Sequence, residues 1–207
     1  MIDNTKKDEI LRASIRLINE KGLQNTSTTD IAKEVGIARG TLYHYYKTKE
    51  DIIDALVLKA TDELFDQAVK ASKNKELDIP LRIAATVQAL NLNTEYGRIL
   101  LEHINKEENL LLHHRVQRLM METLPQIFTG IIREGIDAGI FTSDHPYEDM
   151  ELMVNYISNV IDGNDLHLTS EEKFSRLYIL LENMEKILSS PLGYLRQVLS
   201  HLGKTAP

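Results

Sequence analysis

The sequence predicts an all-α fold of about nine helices, and three observations carry that prediction. Every long segment repeats its apolar residues at three- and four-residue spacing. No stretch alternates apolar and polar residues as a half-buried strand would. Helix-start and helix-stop residues bracket the periodic segments.

The first helix is expected over Asp8 to Lys21, with Ile10, Leu11, Ile15, Leu17 and Ile18 as its apolar stripe and Gly22 as its stop. Ser27 to Lys49 then packs two short amphipathic helices around a single glycine, the layout of a helix-turn-helix. Ser27 caps the first of these, and Asp30 places a carboxylate in its first turn. Ile31, Ala32 and Val35 form its stripe. Gly36 ends it in a left-handed turn, with Ile37 expected as a buried plug. The second short helix restarts near Arg39. Leu42, Tyr45 and Tyr46 fall on one side of it, and Arg39, Tyr43, His44 and Lys47 on another.

A long helix follows over Lys49 to Lys73, through Ile52, Ile53, Leu56, Leu64 and Phe65. After the polar break Asn74 to Asp78, helices are expected from about Pro80 to Asn91 and over Glu95 to Ile104. Glu107 to Ala138 reads as a long helix kinked at Pro125, with Gly135 and Gly139 at a frayed end. His145-Pro146 opens a helix carrying Met150, Met153, Val154, Tyr156, Ile157 and Val160 to about Asp162, and Gly163 closes it. Thr169 and Glu172 form a capping box for the last long helix. Its apolar residues, Phe174, Leu177, Tyr178, Leu180, Leu181, Met184, Ile187 and Leu188, cover more than one face, so it is expected to be buried on two sides. Pro191 ends it, and the tail from Leu192 to Pro207 is either a short helix or disordered.

A chain of 207 residues, 43% hydrophobic and 27% charged, has the composition of a globular protein with a true core. It contains no apolar run long enough to span a bilayer and no signal-peptide core in MIDNTKKDEI, so no membrane partner is expected. Zero cysteines exclude disulfides and thiolate metal sites and fit a reducing cytoplasm. The net charge of −7 is unevenly spread. The first fifty residues hold nine Lys and Arg against seven Asp and Glu, and the remainder is acidic. The sequence lacks a glycine-rich phosphate loop, a nucleophile elbow and any carboxylate pair fixed by motif, so an enzyme is not expected.

The free side of the second short helix joins a guanidinium, a phenol, an imidazole and an ammonium, with small Gly40 and Thr41 at its start. Such a face suits phosphate oxygens and base edges in a major groove. The run GIARGTLYHYYKTKEDI resembles the signature of the TetR family of transcription regulators, with Gly36, Thr41, Leu42, Tyr43, Lys49 and Glu50 at the places of that pattern. Ile10 to Gly22 and Ile52 to Leu64 extend the likeness. Two positions depart from it: Ala38 stands where a serine is common, and Tyr46 where Phe is usual. Losing the serine hydroxyl removes roughly 1 kcal/mol of capping, and the Tyr46 hydroxyl needs a partner or water.

The resemblance implies a DNA-binding domain at residues 1–48 and an effector-binding and dimerisation domain at 49–207. It implies that Ser27, Thr28, Thr29 and Lys49 meet phosphates. Arg39, Gly40, Thr41, Tyr43 and His44 would face the groove on a helix ending at Tyr45, with Lys47 beside it, and Arg39 is the best candidate for a bidentate guanine contact. The expected activity is ligand-responsive repression by a homodimer on a pseudo-palindromic double-stranded operator. A small-molecule effector of unstated identity acts on it and no cofactor is required. An activator, a regulator needing no small molecule, and a protein-docking module are the alternatives.

For the effector the sequence offers Arg98, His103, His113, Asn155 and Tyr156, polar groups on otherwise apolar helices that equally suit satisfied surface or interface positions. His103, His113 and His114 lie beside Glu102 and Asn109. Adjacent His113 and His114 point to different sides of one helix, so at most one of them joins His103, and two imidazoles make an incomplete zinc set.

Overall fold

A computed structural model of the chain describes residues 4–91, 97, 102–103, 109–161 and 166–202. They form helices α1 (Asn4–Lys21), α2 (Thr28–Val35), α3 (Arg39–Tyr45), α4 (Lys49–Ser72), α5 (Ile79–Ala89), α6 (Leu110–Asp137), α7 (Pro146–Tyr156), α8 (Ser170–Ile187) and α9 (Gln197–Leu202), with no strand among the described residues. Gly97, Glu102 and His103 are also helical. The rest of the helix expected over Glu95 to Ile104 lies outside the described residues, as do Asp162 and Gly163.

The chain divides into two compact units, residues 1–62 with 92–116, and residues 63–91 with 117–207. In the first, α1, α2, α3 and the start of α4 bury Ile10, Ile18, Ile31, Leu42, Ile52, Leu56 and Val57. All but Val57 are periodic positions that the sequence marks, because a helix buries the stripe that recurs every three to four residues. Ile37 is a correction. It is only half-buried, and its main contribution is a backbone N–H that reaches Ala32 O at 2.9 Å while Gly36 N–H bonds Lys33 O at 3.1 Å. With Gly36 at φ 72° this is a Schellman turn, in which the backbone and not a plug closes α2.

In the second unit the core joins Ile79 and Ile83 of α5, Ile127, Phe128, Ile131 and Ile132 of α6, Met150 and Val154 of α7, Leu181, Met184 and Leu188 of α8, and Leu195 and Val198 of the tail. Asp78 caps α5 by accepting from Leu81 N–H at 2.9 Å, with Pro80 in the first turn. Pro125 lies inside α6 and does not end it; Thr129 Oγ1 donates to its carbonyl at 2.7 Å. Gly135 also differs from expectation. It sits within the helix, and a Cβ there would lie 2.3 Å from Phe141 Cδ2, so the missing side chain is what admits the Phe141 ring. Beyond Tyr156 the chain widens into one π-helical turn, Ile157–Ile161, that periodicity alone does not announce.

The α8 capping box forms as the sequence implies: Thr169 Oγ1 accepts from Glu172 N–H at 3.2 Å, and Glu172 accepts from Thr169 N–H at 2.8 Å. Of the two-sided apolar set, Leu180, Leu181, Met184 and Leu188 are buried, while Phe174, Tyr178 and Ile187 stay exposed, and so does Ile179 beside them. The tail is folded at least to Leu202. Glu185, 3% exposed, accepts hydrogen bonds from Gly193 N–H, Arg196 N–H and the Arg196 guanidinium, and so pins the segment after Pro191 to α8.

Candidate nucleic-acid interface

Three local devices fix the orientation of α3. The Ser27–Asp30 capping box starts α2, with Ser27 Oγ accepting from Asp30 N–H at 3.1 Å and Asp30 accepting from Ser27 N–H at 2.9 Å. The Ser27 hydroxyl, then Lys21, then the Ser27 N–H hold the Asp30 carboxyl well below the usual carboxylate range. The Schellman turn sets the angle between α2 and α3. Downstream, Thr48 and Asp51 form a second box, Thr48 Oγ1 accepting from Asp51 N–H at 3.0 Å and Asp51 accepting from Thr48 and Lys47 N–H at 2.9 Å each. That box was legible as T-x-x-D and was not anticipated.

Between these devices α3 presents the expected division. Leu42 is fully buried and Tyr46 nearly so, and burial, then the Asp8 charge, push the Tyr46 phenol up. Arg39, Gly40, Thr41, Tyr43, His44 and Lys47 are exposed, and Tyr45 is half-buried with its ring edge-on to His44 at 5.6 Å. No side chain caps α3, as the alanine at its N-cap position 38 requires. Ser27 and Thr29 are exposed and Thr28 is half-buried at the start of α2.

Two links tie this surface together. Arg39 Nη2 lies 3.5 Å from Tyr43 Oη, one helical turn away. Hydrogen bonding from Thr28, then Arg39, holds the Tyr43 phenol below the usual tyrosine range. Lys49 Nζ donates to Leu23 O at 2.6 Å, which fixes the start of α4 to the loop before α2 and leaves two ammonium N–H groups for other acceptors. The side chains named from sequence for DNA thus lie on α2, α3 and the start of α4, within the first unit.

The residues named for an effector are distributed differently. Arg98 lies outside the described residues. His103, 4% exposed, meets Asp54 Oδ1 of α4 at 3.1 Å through Nε2, while Asn109 Nδ2 donates to the His103 carbonyl at 2.7 Å. His113 is half-buried, its ring 6.1 Å from that of His114. Among the described residues no three His, Cys, Asp or Glu side chains are grouped to hold a metal. In the second unit Asn155 is exposed and accepts from Asn159, and Tyr156 lines a surface groove of about 520 Å³ with Leu152, Ile179, Asn183 and Ile187. No helix among the described residues is long and apolar enough to cross a membrane.

Residues 10–56, which span the helix-turn-helix and its flanking helices, match the family of bacterial regulatory proteins of the tetR type. These residues form a DNA-binding segment of the tetR type. The match supports a DNA-binding transcriptional regulator. It is 29% identical over 161 residues to the HTH-type transcriptional repressor KstR2 of Rhodococcus jostii, covering 73% of this chain and 74% of that protein. It is 27% identical over 171 residues to the nucleoid occlusion factor SlmA of Glaesserella parasuis, covering 79% of this chain and 80% of that one. Among solved structures, the SmeT–triclosan complex superposes with a TM-score of 0.55 at 16% identity over 92% of this chain and 94% of that chain, a likeness of fold.

Proposed function

We propose that this protein is a ligand-responsive TetR-type repressor that acts in the cytoplasm as a homodimer on a pseudo-palindromic operator. The observation that supports DNA reading is the exposed set Arg39, Gly40, Thr41, Tyr43 and His44 on a helix whose opposite side, Leu42 and Tyr46, is buried. Such a helix lies in the major groove with its N-terminal residues at base edges. Ser27, Thr28 and Thr29 at the start of α2 and Lys49 at the start of α4 offer phosphate contacts, and Tyr45 and Lys47 flank the reading helix.

Self-association is supported by the free surface of α7 and α8. Leu152, Phe174, Tyr178, Ile179 and Ile187 are between 39% and 58% exposed. At about 200 Å² per side chain they leave on the order of 500 Å² of apolar surface per copy. Two such patches supply about 1,000 Å², most of what a stable interface of roughly 1,200 Å² requires. A two-fold dimer places two α3 helices about one turn of DNA apart, hence an operator of matched half-sites.

Repression is supported by the likeness to the transcriptional repressor KstR2, and a small-molecule ligand by the likeness in fold to SmeT in its complex with triclosan. In this reading the effector favours a conformation whose two α3 helices no longer match the half-site spacing, and operator affinity falls by the difference in effector affinity between the two states. His103, His113, Asn155 and Tyr156 are offered as effector contacts, with Arg98. The test is a binding titration on DNA upstream of the protein's own gene at several salt concentrations. Site-specific binding that weakens linearly in log–log form with salt supports the reading, and salt-insensitive or sequence-indifferent binding would overturn it.

A further inference from the structure

The capping box that starts α2 engages every donor of its own serine. Ser27 Oγ–H donates to Asp30 Oδ2 at 2.7 Å and Ser27 N–H donates to the same oxygen at 2.9 Å, while the hydroxyl accepts from Asp30 N–H at 3.1 Å. A hydroxyl has one proton, so Ser27 keeps no donor for a phosphate oxygen. The box also leaves a carboxylate, 38% exposed, in the turn that carries Thr28 and Thr29, and a like charge there repels the DNA backbone. Both consequences call for a cation beside Asp30.

Lys21, the last residue of α1, stands there. Its Nζ lies 2.9 Å from Asp30 Oδ2, and its side chain is 35% exposed. An ammonium carries three N–H groups, so the contact with Asp30 leaves others for further acceptors. The backbone around it is fixed: Asn25 Nδ2 donates to Lys21 O at 2.9 Å, Gly22 takes φ 82°, and buried Thr26 donates to Gly22 O at 2.9 Å. Lys49, whose ammonium is held by Leu23 O, is anchored two residues further along the same stretch. The loop before α2 therefore holds two ammonium groups, each tied by one contact.

We infer that Lys21, given that α2 and α3 form the DNA face put forward above, is a further contact to the DNA backbone and takes the place there of Ser27. Ser27 and Asp30 position α2. Lys21 cancels the Asp30 charge and donates its free N–H groups to a phosphate oxygen beside Thr29, as a charge-assisted hydrogen bond. A phosphate contact carries no sequence information, so Lys21 strengthens binding to every duplex alike and fixes the register of the head on DNA without choosing a base.

The test is the salt dependence of binding by the full-length chain, read by fluorescence anisotropy on DNA upstream of its own gene and on a scrambled duplex. Lys21→Gln should weaken binding to both duplexes by about tenfold and lower the slope of log K against log salt by about one for each bound chain. Lys21→Arg should restore affinity and slope together. Asp30→Asn keeps an oxygen for the Ser27 N–H and removes the opposing charge, so it should bind at least as tightly as the wild type. An unchanged slope in Lys21→Gln, or an Asp30→Asn variant weakened as much as Lys21→Gln, means that Lys21 only braces α2 and overturns the contact. If Lys21→Gln loses the helical circular dichroism of the wild type, Lys21→Met, which keeps an unbranched stem, repeats the measurement. A wild type whose binding ignores salt overturns the DNA face itself, whereas a salt-dependent wild type whose slope Lys21→Gln shares overturns only the role of Lys21.

Discussion

Both guanidinium hydrogen bonds from Arg196 to Glu185 end on one carboxylate oxygen, Oε2, at 3.1 Å from Nε and 2.9 Å from Nη2. The other oxygen accepts the Arg196 backbone N–H at 3.0 Å, and Oε2 takes that of Gly193 at 2.9 Å. Burial pushes the Glu185 carboxyl up, but Arg196 and the two backbone donors outweigh it and hold the group below the usual glutamate range. A carboxyl whose folded pKa is depressed contributes stability that is complete above its unfolded pKa, about 4.3, and is lost as pH falls through the folded value.

The melting temperature should therefore fall on acidification below about pH 4.3, with Glu185 among the causes. Glu185→Gln should be less stable at neutral pH by about 1–3 kcal/mol, because it leaves a half-buried guanidinium without its counter-charge. Its acid limb should also be flatter. Thermal melts of both proteins across pH check this, and parallel acid limbs would remove Glu185 from the explanation.

Arg39→Ala should weaken specific operator binding by about 1–3 kcal/mol while leaving the melting temperature in place, since the side chain is exposed and its hydrogen bond to Tyr43 Oη is long, at 3.5 Å. Fluorescence anisotropy at fixed salt reads the affinity. An unchanged dissociation constant would exclude Arg39 from the reading face.

Leu42→Ala tests the opposite side of the same helix. The side chain is fully buried between α3 and its neighbours, so truncation should cost about 2–5 kcal/mol in denaturant unfolding. Operator affinity should drop with it, because α3 has seven residues and cannot hold its own orientation.

Gly135→Ala separates two effects of opposite sign. Helix propensity alone favours alanine by about 1 kcal/mol. The new Cβ, however, would meet Phe141 Cδ2 at 2.3 Å and Ile79 Cδ1 at 3.0 Å. Overpacking of this kind costs about 1–3 kcal/mol, so net destabilisation is expected, and Phe141→Leu in the same chain should recover part of it. A stabilised single variant would show that the ring moves aside freely.

The helix-turn-helix was legible in the sequence because its determinants are local. Ser27, Asp30, Gly36 and the Leu42–Tyr46 spacing act within a few residues of one another, and caps and apolar stripes are written at that range. Thr48 and Asp51 are equally local, their T-x-x-D spacing carrying the same kind of signal. The Asp54–His103 contact, 49 residues apart, and the Glu185–Arg196 tie of the tail follow from no periodicity, since they depend on which helices meet. Gly135 misled for the same reason: a glycine near a helix end reads as a stop until Phe141 is seen lying on it.

By itself the sequence determined the helical class, the capped pair of helices with its polar outer face, and a last long helix too apolar for one partner. Only the tertiary structure decided which half of that helix's apolar set is covered. Leu180, Leu181, Met184 and Leu188 turn into the core, while Phe174, Tyr178, Ile179 and Ile187 stay at the surface. The physical reason is that periodicity fixes the angle of a side chain about its own helix, whereas burial depends on where the neighbouring helices lie.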